Sequence, residues 1–399
     1  MFRHTKPALI LTFALFALWG VGHRLYDTLV PGFAQVFALN SSQLVLSQSI
    51  YGIVYLFLAV PAAIYARALG SKAAIVFGLG AWGIGAFLFY PAAQAHAFLF
   101  FLGAAAVMSC GYIFVEIGAN PIVAGMGPPE TTVRRLNFAH ALYPIGGLGA
   151  LYVGRWVILS NDALPLDQLA NAVVRPYMVL GVAVLLLAFL VDNLLFPAHA
   201  TERGRHRDAL AEFRTLLSRP RFVAAMGAQV CCVAARAGTW ALSALYVKDA
   251  IPGATAATAA DYLLAALIVY AIGRLFGAVL MFWFKPMHLL AVFAVSGLVF
   301  GTVAALHGGQ IGVYAVVASS FSVSIMYATI LGTAIKDLGP MTTAGTALIY
   351  TGAAGAGIGL TAMHLVWTMS SIELAMLVPT LGFAGVLLFA LTQNKSAAA

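Results

Sequence analysis

The feature that most constrains this chain is a series of apolar runs, each about as long as a bilayer is thick. A helix needs about 20 apolar residues to cross the hydrocarbon core. Twelve runs meet that length, at roughly 8–37, 44–66, 73–92, 97–124, 136–160, 174–197, 221–247, 259–283, 287–306, 310–334, 343–368 and 371–392. They are apolar with few alternating patterns, which favours helices over a β-barrel. The chain is 62% hydrophobic and 9% charged over 399 residues. A soluble protein carries about 25% charged residues. The expected fold class is therefore an all-α membrane protein with twelve transmembrane helices.

The links between runs set the topology. Most of the 21 lysines and arginines fall at the N-terminus, in every second link and at the C-terminus: Arg3, Lys6, Arg67, Lys72, Arg134, Arg135, the stretch 198–221, Lys285, Lys336 and Lys395. The opposite set holds Arg175, Lys248 and Arg155 near a run's end. Positive charge stays on the cytoplasmic side, so both termini are expected there and the span number is even. The longest link, TERGRHRDALAEFRTLLSRPR, is basic and amphipathic, with six spans on each side. It predicts a cytoplasmic connector along the membrane face. The expected organisation is an N-terminal six-helix half (1–198), a linker (199–220) and a C-terminal six-helix half (221–399).

The net charge of +8 is accounted for by this asymmetry and does not call for a nucleic-acid partner. Cys110, Cys231 and Cys232 lie in apolar runs without metal or disulfide spacing. The run from Ala8 is too long for a cleavable leader, so none is expected. PAAIYARALGSKAAIVFG (61–78) and GAVLMFWFKPMHLLAVFA (277–294) both place basic residues in a tight turn, a faint internal repeat of the kind transporters carry. Glycines and prolines punctuate spans one, four, five and eleven. Close helix packing is the first expectation for them, and a flexing gate the second.

Ionisable residues well inside the spans are few: His23, Arg24, Asp27, Glu116, His140, Arg236, Arg274 and His364. Each costs about 3 kcal/mol to insert, which makes each a functional candidate needing a partner. Asp27 lies three residues from Arg24 and four from His23, so all three can share a helix face. Desolvation favours a carboxylic acid's protonated form and a nearby cation its ionised form. An acid with arginine in reach can therefore exchange a proton as its surroundings change. Asp27 and Glu116 are the expected proton-coupling pair, although a static ion pair is the alternative for each. Arg236 reads either as a substrate contact or as a counter-ion; Arg274 and His364 read as structural. Rings and amides suited to a polyol lie on the charged helices: Tyr26, Asn120, Asn137, Tyr143, Trp240 and Tyr327, with ordinary packing as the alternative for each ring; His140 reads either as a substrate ligand or as a hydrogen-bonded packing residue.

Several stretches carry a resemblance. FALWGVGHRLYDTLVPGFAQVF, VEIGANPIVAGMGPPETTVRRLNFAHALYPIGG, SIMYATILGTAIKDLG, YVKDAIPGATAATAADYL and IGRLFGAVL resemble the fucose–proton symporter family of the major facilitator superfamily. The elements E-x-x-A-N-P and R-L-N-x-A together are fairly specific for it. The resemblance runs over about 8–392. It implies the major facilitator fold and proton-coupled uptake of a monosaccharide by alternating access of two six-helix halves, in a bacterial-type inner membrane. It also implies that Asp27 and Glu116 carry coupling and sugar recognition, and that Tyr327 matches a span-ten tyrosine. Departures stand at His23, Arg24 and Tyr26, where the family has asparagines before the aspartate. His140 and Tyr143 replace amides, and Arg236 replaces a glutamine. The added arginines suit a carboxylate, so the expected substrate-binding set is His23, Arg24, Tyr26, Asn120, Asn137, His140, Tyr143, Arg236, Trp240 and Tyr327, and the substrate is expected to be a sugar or sugar acid other than fucose.

The expected partners are that small molecule and membrane lipid. The protein is expected to act as a monomer, with the proton as coupling ion and no other cofactor. A proton-driven exporter and a non-transporting sugar sensor remain as alternatives. An intramembrane enzyme is not expected, because neither H-E-x-x-H nor G-x-S-x-G occurs.

Overall fold

A computed structural model describes residues 6–160, 165–197 and 206–396. Arg3 and the first part of the expected linker, 199–205, lie outside the described residues. Six long helices come first: α1 (Lys6–Val36), α2 (Ser41–Leu69), α3 (Ser71–Gln94), α4 (Phe98–Ala124), α5 (Thr132–Ser160) and α6 (Leu166–Asn193). A short helix in the link, α7 (His206–Leu217), follows. Then come α8 (Pro220–Ala241), α9 (Ser243–Ala250), α10 (Ala256–Leu280), α11 (Pro286–His307), α12 (Gly309–Val323), α13 (Met326–Ile335), α14 (Thr342–Tyr350), α15 (Ala354–Met369), α16 (Ile372–Ala375) and α17 (Leu377–Ser396). All twelve expected runs are helical, with ends moved by a few residues. Ten stretches among the described residues are long and apolar enough to cross a membrane. The helices α1 and α5, of 31 and 29 residues, complete the twelve.

Helix ends follow local chemistry. Asn40 caps α2 in a reciprocal box: its side chain accepts from the Gln43 N–H, and the Gln43 side chain accepts from the Asn40 N–H. The turn between α2 and α3 is the single residue Gly70, whose φ of 96° favours glycine. Lys72, just after it, donates to the Asp192 and Leu194 carbonyls at the end of α6, at 2.6 and 3.1 Å. In the repeat-related turn, Lys285 precedes Pro286 at the first position of α11. A second repeat emerges that the sequence reading passed over. Pro129–Thr131 and Gly339–Met341 are both single 3₁₀ turns, each running straight into a helix that begins at a threonine.

The single spans expected at positions seven, ten, eleven and twelve are each broken. Span seven breaks at Leu242, span ten at Ser324–Ile325, span eleven at the 3₁₀ turn Thr351–Ala353, and span twelve at Met376. A break frees backbone carbonyls, which is tolerated inside a membrane only where other groups take them up. Ser243 Oγ donates to the Trp240 carbonyl at the first break, and Arg274 Nε to the Ser324 carbonyl at the second.

Contacts divide the chain into two compact units. One comprises Met1–Met126, Leu142–Phe213 and Pro340–Ala347; the other comprises Gly127–Ala141, Arg214–Gly339 and Leu348–Ala399. In the first, α1 and α5 touch so closely that a Cβ on Gly20 would strike the Tyr143 carbonyl, and one on Gly146 the Ala17 carbonyl. In the second, Gly355 and Gly359 of α15 meet Val230 and Ala234 of α8 in the same way. These glycines serve close packing, the expected small-residue device of membrane helices. Gly149 and Gly357 have nothing near where a Cβ would stand, so packing does not account for them. The apolar surface is broad and includes Phe57, Leu99, Trp156, Val179, Phe189, Trp283 and Leu381, as lipid contact requires.

Candidate functional site

In the first unit, α1 carries the cluster that the sequence singles out. Arg24 Nη1 donates to Asp27 Oδ2 at 2.8 Å, one helical turn apart. The aspartate side chain is 44% exposed and the arginine 14%. Gly147 of α5 makes room for the arginine stem, since a Cβ there would lie 2.8 Å from Arg24 Cγ. His23 turns elsewhere. Its ring sits in a cage of Trp19, Tyr51, Tyr112 and Tyr143, with centroids 5.4, 4.4, 4.6 and 6.0 Å away. Gly22 leaves space for this cage, because a Cβ there would press on Tyr112 and Trp82. Tyr143, a candidate substrate ligand, also packs on Trp19 at 4.6 Å. Tyr26 is buried; its hydroxyl donates to the Ser47 carbonyl at 2.9 Å, and its ring lies parallel to Phe101.

Glu116 on α4 is 2% exposed, and the Tyr55 hydroxyl of α2 donates to its Oε1. Tyr55 itself is fully buried and its ring lies 4.0 Å from Tyr51, which in turn touches His23. An aromatic line therefore runs from His23 through Tyr51 and Tyr55 to Glu116. Tyr55 and Tyr51 escaped the sequence reading, since tyrosine in an apolar run carries no charge signal; only their spacing, one turn apart on a span facing α4, hinted at them. Asn120 Nδ2 donates to the Glu116 backbone carbonyl at 2.9 Å, one turn back on α4. That bond gives the E-x-x-A-N-P element a local reason.

The second unit gathers a different set. Asn137 is buried and donates to Thr329 Oγ1 of α13 at 3.1 Å and to the Val133 carbonyl at 2.9 Å. Two residues earlier, Arg135 folds back on its own loop. It donates to the Gly127 and Pro128 carbonyls, at 3.1 and 3.0 Å, and to the hydroxyls of Thr131 and Thr132. The R-L-N-x-A element thus ties a loop with its arginine and a neighbouring span with its asparagine. His140 is fully buried; its carbonyl accepts from Arg274 Nη1 at 3.2 Å and its ring lies 5.8 Å from Tyr327. The Arg236 guanidinium stands 5.6 Å from the Tyr327 ring centroid and 6.0 Å from that of Trp240. Trp240 donates to Ser320 Oγ at 3.1 Å and meets Tyr270 edge-on at 5.0 Å. Arg274 lies 5.2 Å from the Tyr270 ring centroid.

The structure thus brings Arg236, Trp240, His140 and Tyr327 together, with Asn137 one turn from His140 on the same helix. It adds Arg274, Tyr270 and Ser320. Gln229 is fully buried on α8 with neither amide atom hydrogen-bonded. It precedes Arg236 by seven residues, two turns along one face. That spacing was readable, but a glutamine in an apolar run gave no reason to choose it. Among the described residues no group of three His, Cys, Asp or Glu converges as a metal site.

Comparison with known proteins agrees with this architecture. The Major Facilitator Superfamily profile matches residues 8–363. The chain is 34% identical to the L-fucose-proton symporter of Escherichia coli (strain K12), covering 96% of this chain and 92% of that protein. It is 29% identical to the glucose/galactose transporter of Brucella abortus biovar 1, over 96% and 93% of the two chains. The crystal structure of the transporter FucP in its outward conformation superposes with a TM-score of 0.89 at 32% identity, covering 98% of this chain and 99% of that one. The length of the match and the shared fold establish that the chain belongs to the sugar–proton symporters of the Major Facilitator Superfamily, proton-coupled secondary transporters rather than enzymes.

Proposed function

We propose that this protein imports a sugar or sugar-related solute together with a proton, and that Asp27 carries the proton. It works in a bacterial-type inner membrane as a monomer, with both termini in the cytoplasm. Residues 1–198 and 221–399 act as the two halves of an alternating-access cycle, joined by 199–220. The names of the E. coli and B. abortus relatives support a monosaccharide-like cargo.

One observation carries the assignment of the proton. Asp27 is the acid in mid-span that combines a cationic partner at 2.8 Å with a half-exposed side chain. A proton reaching Asp27 discharges the carboxylate and removes the partner of Arg24. Loss of the proton restores the pair. Each form is therefore stabilised in a different setting, and switching between settings moves a proton. Glu116 is more deeply buried and held by Tyr55, so its role is to fix hydroxyl partners and to couple cargo to the proton. Arg236, Trp240, Asn137, His140 and Tyr327 serve cargo binding, and His23, Tyr143 and Asn120 hold the groups beside the two acids.

Proteoliposomes test this. Wild-type protein should accumulate labelled cargo when the outside is made acidic, and a protonophore should abolish it. Asp27→Asn should lose accumulation while retaining exchange of internal for external cargo. Accumulation at the wild-type rate by Asp27→Asn would remove Asp27 from the mechanism.

A further inference from the structure

The strongest unassigned feature is the cation-rich cluster of the second unit. Its two mid-span arginines, Arg236 and Arg274, flank His140: one through the Tyr327 ring, the other through the His140 carbonyl. Of the five acids of this unit, Glu130, Asp249, Asp337 and Glu373 lie in turns or at helix ends, and Asp261 lies in the second turn of α10. Rings and carbonyls stand against these two arginines. Trp240, Tyr270 and Tyr327 supply the rings, and Ser324 and His140 the carbonyls.

The hydrogen-bonding capacity left over is of the right kind for a ligand. Arg274 is 2% exposed, yet its Nη2 has no hydrogen-bond partner. Gln229 is fully buried with both amide atoms in the same condition, and so is Ser324 Oγ. Buried polar groups are almost always satisfied, so the neighbouring exceptions at Arg274 and Ser324 mark a place where a bound molecule completes the set. The cluster offers guanidinium donors, a hydroxyl and aromatic faces. These are the complements of a carboxylate, sugar hydroxyls and the apolar face of a pyranose ring.

We propose that the cargo is an anionic sugar, a hexuronate or aldonate, whose carboxylate is bound by Arg236 beside the fixed charge of Arg274. This rests on the proton-coupled reading above and narrows its cargo. It has a consequence for energetics. A sugar carboxylic acid is ionised at neutral pH, since such groups titrate near 3.5. One monoanion entering with one proton moves no net charge. Uptake then answers to the pH gradient and not to the membrane potential, whereas a neutral sugar with one proton would carry a positive charge inward.

The test uses proteoliposomes of the full chain on a solid-supported membrane, with an internal pH dye. The probes are D-glucuronate, D-gluconate, L-fucose and D-galactose, with and without a valinomycin-clamped potential. D-glucuronate or D-gluconate should acidify the lumen without a charge transient, and the rate should ignore the potential. Arg236→Gln should weaken that response roughly ten- to hundredfold in affinity, the loss expected for one charge-assisted carboxylate contact. A thermal-shift titration with the same anions reads binding directly, so a variant that folds but does not transport is still scored. Acidification with a positive inward transient on adding L-fucose or D-galactose, and none with the anions, overturns the proposal but leaves proton coupling standing. Anion exchange without any proton movement keeps the cargo class and overturns the coupling. Arg236→Gln binding the anions as tightly as wild type overturns the assignment of Arg236.

Discussion

The two arginines that matter most, Arg24 and Arg274, sit in opposite circumstances. Arg24 pairs with a carboxylate one turn away on its own helix, and that carboxylate is half exposed. Arg274 is sealed in the second unit and spends its guanidinium on the carbonyls of Ser324 and His140, with Tyr270 beneath it. Carbonyls do not titrate. A carboxylate does. The first arrangement is therefore one whose charge balance can change during a cycle, and the second is one that holds a charge constant. The difference teaches that an intramembrane charge is not a role in itself; the chemistry of its partner assigns the role.

The comparison can be broken at several points. Arg274→Ala should do the most damage, because it strips two buried carbonyls of a charged donor at once. At about 1.5–3 kcal/mol for each such bond, the loss is expected to exceed about 3 kcal/mol. Detergent-solubilised protein should melt far lower or fail to elute as a single species. A variant as stable as wild type would show that Arg274 is not a structural post. Tyr55→Phe comes next. It removes a donor from buried Glu116 at a cost of about 1–3 kcal/mol and should slow proton-driven uptake while leaving the chain folded. Unchanged uptake would leave the aromatic line from His23 to Glu116 without a transport role. Arg24→Gln should be the mildest for stability, since its partner Asp27 is half exposed and a pair one turn apart on a helix contributes about 0.5 kcal/mol. Its effect should show instead as altered pH dependence of accumulation, read in the same assay as Asp27→Asn. A large drop in melting temperature there would erase the contrast between the two arginines.

Much of this was legible before any coordinates. The twelve runs follow from what a bilayer demands of a chain, and the helices lie where the runs lie. The E-x-x-A-N-P and R-L-N-x-A elements were recognisable as patterns, but their reasons were not. Asn120 back-bonding to Glu116 can be built on a helical wheel, whereas Asn137 reaching Thr329 joins residues 192 positions apart. His23 shows the limit well. Helical spacing allows it to face Asp27, yet the side chain lies among four rings drawn from α1, α2, α4 and α5. Tyr55 and Gln229 carry no charge signal and their helical spacing singles out neither, so burial is what brings them to notice.

By itself the amino-acid sequence determined which segments enter the lipid and which few charges are carried inside, because those follow from hydrophobicity summed along the chain. The tertiary structure alone decided where spans seven, ten, eleven and twelve break, and which partner each buried charge received. Those outcomes depend on carbonyls, hydroxyls and guanidinium groups from distant segments meeting where water cannot satisfy them, and distance along the chain says nothing about such meetings.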